Sequence, residues 1–106
     1  MERQDLLNAI ETLLNDATEQ CFHHLVNHPQ QSMALNEIIR EATKERAYLT
    51  VKVDAHNFER GSEGARAHHK QISKELHKKS LQLMGRLQDV KRRQSNVAGD
   101  AGAFDA

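Results

Sequence analysis

Cys21, His24 and His28 are separated by three and four residues. On a helix that spacing puts all three side chains on one face. A thiolate and two imidazoles are ligands for zinc or another late transition metal, with His69, His77 or water as the fourth. The same stretch has a plainer reading. Cys21 is a small buried apolar residue. The histidines close a helix, where a protonated imidazole stabilises the carbonyl end by roughly 0.3–1 kcal/mol. Three ligands on one continuous helix face seldom converge, because their Cβ atoms spread over about 10 Å. The plainer reading is the one we carry forward, with no cofactor expected and zinc as its rival.

The other chemistry-bearing residues are dispersed. Seven histidines occur, at 23, 24, 28, 56, 68, 69 and 77. Two adjacent pairs, His23–His24 and His68–His69, could meet across helices as a pH-sensitive cluster. Adjacent residues diverge by about 100°, so only one of each pair can face a given neighbour. Asp54 and His56 lie two apart, a spacing that diverges on a helix and brings no nucleophile with it. No P-loop, GxGxxG, GxSxG, HExxH or CxxC is present. We therefore expect no enzyme.

Charge is balanced overall but segregated along the chain. The net charge is zero, yet residues 1–30 carry −4, residues 31–60 carry 0, residues 61–94 carry +6 and residues 95–106 carry −2. Arg66, Lys70, Lys74 and Lys78 repeat every four residues, and Arg92 and Arg93 extend the basic character. That row is one helical ridge, able to lie along phosphates. It lacks interleaved aromatics for stacking on single strands. Its competing uses are a solvated face or a partner for the acidic first third.

These residues need helices to position them. The chain has 106 residues, 38% hydrophobic and only 4% aromatic, enough for one domain with a thin core. Leu7, Ile10, Leu14, Ala17 and Cys21 step by three and four, predicting an amphipathic helix over about 3–27. The lone proline, Pro29, breaks the chain there. A second helix is expected over about 31–59. The β-branched run Tyr48–Val53 reads locally as a strand, but the chain holds no second strand for it to pair with. Gly61–Gly64 reads as a turn, with Ser62 placed to cap a third helix over about 64–94. Its stripe is Ile72, Leu76, Ser80, Leu83, Leu87 and Val90. Ser80 and Gly85 are small enough to admit another helix. Residues 95–106 are small, aperiodic and expected to be a disordered tail.

The expected fold is all-α, a single domain over 1–94. It is a three-helix bundle or long helical hairpin, assembling as a dimeric helical bundle. Helices of about 28–30 residues span roughly 40–45 Å, longer than a compact 106-residue globule is wide. Leu7, Ile10, Leu14, Ile72, Leu76, Leu83, Leu87 and Val90 are the expected surface for self-association or partner binding. The matching function is a regulatory or chaperone-like module that sequesters a protein partner, with a nucleic-acid-binding regulator as the alternative. A metal- or pH-responsive helical protein is the third possibility. A lone cysteine, no signal-like start and no run of 18 apolar residues point to a soluble cytoplasmic chain.

Overall fold

A computed structural model describes residues 3–55, 58–59 and 61–105, with side chains as far as residue 93. Helix α1 is Arg3–Asn27, a 3-10 turn follows at Pro29–Gln31, α2 is Ser32–Val53 and α3 is Glu63–Asp105. No strand occurs among the described residues. Tyr48–Val53 is helical: Leu49 and Val53, four apart, fall on the buried stripe of α2, while Val51 between them is exposed.

The chain runs up, down and up. Arg3 at the start of α1 meets Asp54 just after α2, and Gln31 before α2 meets Val90 of α3. So α1 and α3 are parallel, with α2 antiparallel between them in sequence. The core is the three stripes turned inward. Leu6, Ile10, Leu14, Cys21, Leu35, Ile38, Leu49, Ile72, Leu76, Leu83 and Leu87 are all 0–1% exposed. No polar or charged side chain is buried with them among the described residues. Hydrophobic burial of this kind is worth roughly 1.5–3 kcal/mol per large aliphatic side chain, and it dominates the fold.

Two boundaries differ from the sequence expectation. The second helix stops at Val53 rather than about residue 59. Its last turn tightens, with Asp54 and Ala55 N–H donating to Val51 and Lys52 carbonyls at 3.2 Å. The Asp54 carboxylate is held by two hydrogen bonds from Arg3, at 2.8 and 2.9 Å, which fixes the chain at the point where it leaves the helix. Gly61 then sits at φ 75°, a left-handed conformation that glycine adopts without strain. Ser62 caps α3, its Oγ accepting from the Ala65 N–H at 3.1 Å.

The second difference is the tail. The backbone of α3 continues as helix to Asp105, past the expected end at 94 and through the segment expected to be disordered. No proline follows Pro29, and alanines at 98, 101 and 103 offset glycines at 99 and 102. At 43 residues α3 is about 64 Å long. This accounts for the 67 × 18 × 16 Å envelope and the 18.0 Å radius of gyration. The part beyond Val90, some 22 Å, outruns α1 and α2.

Candidate functional site

The fold splits the opening triad between the core and the α1–α2 turn. Cys21 is fully buried in the core, and burial pushes its thiol pKa up despite Lys91 and Arg86 nearby. A protonated, buried thiol is a poor ligand and a poor nucleophile. His24 and His28 stack on each other, ring centroids 4.2 Å apart and 33° from parallel. No group of three His, Cys, Asp or Glu side chains among the described residues is placed to hold one metal ion.

His24 instead joins three elements. Gln31 Nε2 donates to the Val90 carbonyl at 2.8 Å, so its Oε1 must accept. The 2.7 Å contact from His24 Nε2 to that oxygen then fixes the imidazole tautomer with its hydrogen on Nε2. One glutamine thus ties the end of α1 and the 3-10 turn to α3, at the point where α3 leaves the bundle. Nothing in residue spacing announces this, since 31 and 90 lie 59 positions apart.

The histidine pairs do not meet. His24 lies at the α1–α2 turn, whereas His68 Nε2 donates to the Lys52 carbonyl at 2.8 Å, at the opposite end of the bundle. His77 bonds locally to the Ser73 carbonyl at 2.7 Å. His56 falls outside the described residues.

The eight apolar positions expected to be an association surface are the protein's own interior. Ile10, Leu14, Ile72, Leu76, Leu83, Leu87 and Val90 are buried, and Leu7 packs partly buried against them. A stripe that packs within one chain has the same sequence signature as one that packs between chains. Other apolar side chains are left outside, among them Tyr48, Val51, Phe58 and Leu81 as well as a group at one turn. Phe22 is 50% exposed, Val26 81% and Met33 87%. All three lie around the α1–α2 turn, with Phe22 and Val26 one turn apart on α1. The α1 stripe hides them from inspection, because they sit on its outer side.

Of the uses open to the basic face, the pairing of α3 with acidic α1 is not the one the charges take. Arg86 holds Glu41 and lies 3.8 Å from Glu37, and Lys79 lies 3.8 Å from Glu41. Lys52 pairs with Glu75 at 2.7 Å, which raises the lysine pKa, and its ammonium also lies 5.4 Å from the Tyr48 ring centre. The partner of basic α3 is therefore α2. Asp5, Glu11, Asp16 and Glu19 of α1 are exposed and make no ion pair among the described residues. The signal for this was present: Glu37 and Glu41 are four apart, beside the apolar stripe of α2.

The basic ridge is where the sequence places it. Arg66, Lys70, Lys74 and Lys78 are exposed along the outer side of α3. Arg66, Lys70, Ser73, Lys74 and His77 line a shallow open groove of about 540 Å³. Arg92 is also exposed and lies 3.5 Å from Asp89, and Arg93 is exposed beside it. Gly85 faces open space, so the small site foreseen for a helix approach is unoccupied by any described part of the chain.

No known protein family, curated protein or solved structure matches the chain. No helix among the described residues is long and apolar enough to cross a membrane.

Proposed function

We propose that the protein is a non-enzymatic interaction module, regulatory or chaperone-like, that holds a protein partner against the α1–α2 end of the bundle. One observation carries this reading. Phe22, Val26 and Met33 are exposed around a single turn, Val26 and Met33 being, with Val51 and Leu81, among the more exposed large apolar side chains, while Tyr48 and Phe58 are exposed at or beyond the other end of α2. Exposed large apolar side chains gathered in one place favour a contact surface over a solvated one. A partner offering an amphipathic helix would cover them with its apolar face. A second copy of the chain would use the same end, because the internal stripes are not free. The setting is the reducing cytoplasm, where buried Cys21 stays a thiol.

Site-specific photo-crosslinking in the cells that make the protein tests this. A photoreactive residue at position 22 or 26 should give one dominant adduct, identified by mass spectrometry as either a partner or a second copy. The same residue at exposed Glu11 is the control. Equal yields at all three positions would overturn the reading.

A further inference from the structure

The outer side of α3 poses a separate question, independent of the apolar end. Four of the bundle's cations meet acids on neighbouring helices or at their ends: Arg3 with Asp54, Lys52 with Glu75, Lys79 and Arg86 with Glu41. Arg66, Lys70, Lys74 and Lys78 make no ion pair among the described residues. They stand four apart on one helix, each turned about 40° from the last, so the row winds slowly around its outer side. That is a cation every 6 Å or so over about 18 Å. Between Glu63 and Asp89 the helix holds one acid, Glu75, and it is already engaged by Lys52 on the α2 side. The potential along this ridge is therefore positive without interruption, although the chain as a whole is neutral.

We propose that this ridge binds the phosphate backbone of double-stranded nucleic acid without reading its sequence. The chemistry of the face selects that occupant. A protein helix docks through apolar anchors at three- and four-residue spacing. The groove here is lined by Arg66, Lys70, Ser73, Lys74 and His77, with no aliphatic or aromatic anchor among them. Such a surface gives a protein partner charge but few anchors to bury, the exposed Leu81 beyond Lys78 being the one large apolar side chain at its end. A phosphate backbone asks for cations and hydrogen-bond donors, and each of the five lining side chains ends in one, with the aliphatic stems of the arginine and lysines forming much of the groove wall. The regular spacing also fits: 18 Å of helix runs alongside about five phosphates of one duplex strand. Single strands are disfavoured, because their binding relies on aromatic stacking and no Phe, Tyr or Trp lines the groove. Base readout is disfavoured too, since the contacts all come from one outer face rather than from a helix end entering a groove.

Fluorescence anisotropy with a labelled random-sequence duplex provides the test, on the full-length protein. Binding should appear at 50 mM salt and weaken about a hundredfold by 200 mM, as expected for roughly four phosphate contacts. The double variant Lys70→Glu/Lys74→Glu should bind at least tenfold more weakly and melt at an unchanged temperature. The variant Arg40→Glu/Lys44→Glu alters two exposed cations of α2 and changes the net charge equally, so it should bind within about twofold of wild type. Equal losses in the two variants would mean that the ridge is not the site. Absence of binding at 50 mM salt would end the proposal. Tighter binding to poly-glutamate than to duplex would transfer the ridge to an acidic protein. Single strands binding as tightly as duplex would remove the preference for paired strands.

Discussion

Two sides of α3 carry the same residue types and meet different fates. On the side turned to α2, Lys79 and Arg86 flank the buried leucines and reach Glu37 and Glu41. On the outer side, Arg66, Lys70, Lys74 and Lys78 reach no acid among the described residues. The contrast teaches that charge composition alone does not tell structure from recognition. Position relative to the apolar stripe does. A cation at the edge of the stripe is within reach of a neighbouring helix and supports packing. A cation opposite the stripe is left for solvent or a ligand. The division can be attacked from either side, and the inner side gives the larger effects.

The largest belongs to Leu83, which is fully buried. Leu83→Asp puts a charge into an apolar core and should cost about 4 kcal/mol or more, enough to unfold a marginally stable domain. Circular dichroism should show lost helix and no cooperative melt. A variant that stayed helical but turned from dimer to monomer in sedimentation would restore Leu83 to an intermolecular seam. Next comes Gln31→Ala at the far end of the same inner side. It removes the bond to the Val90 carbonyl and leaves His24 without its acceptor. A loss of about 1–2 kcal/mol in urea unfolding is expected, and amide exchange should quicken around residues 24–31 and 90. A variant as stable as wild type would show that the glutamine only fills space.

The sequence disclosed what depends on period and withheld what depends on partners. Steps of three and four named every buried leucine of α3, and those residues form its core. The same steps could not say that the stripes close on one another within one chain, because an internal seam and an intermolecular one obey the same pattern. The end of α2 was misjudged by about six residues. The deciding contact, Arg3 with Asp54, spans 51 positions and has no local signature. The alternative of an α1–α3 charge pairing is absent among the described residues for a related reason. Bulk charge of segments was compared, whereas pairing is set by which acids border a stripe. The triad of Cys21, His24 and His28 was correctly placed on one face. The plainer reading, Cys21 in the core, is what the fold shows; that His24 shares Gln31 is visible only in the fold.

The ion pairs are smaller tests of the same division. Glu41 serves both Lys79 and Arg86 and is about a third exposed. Glu41→Gln should lower stability by only about 0.5–1 kcal/mol, since water screens such pairs, and the loss should shrink in high salt. A loss as large as that of a core leucine would mean that charge pairing, rather than the apolar stripe, sets the α2–α3 seam.

The smallest effect lies where α3 takes no part. Arg3 holds the Asp54 carboxylate below its usual pKa, and both groups are largely exposed. A carboxyl whose pKa is depressed by folding adds stability above its unfolded value. That contribution disappears as pH falls through the folded value. The melting temperature should therefore decline on acidification below about pH 4, and Asp54→Asn should remove part of that decline while changing little at pH 7. If the decline is identical in the variant, the pair is only a surface contact. The end of α2 would then be set by its tightened last turn alone, without help from α1.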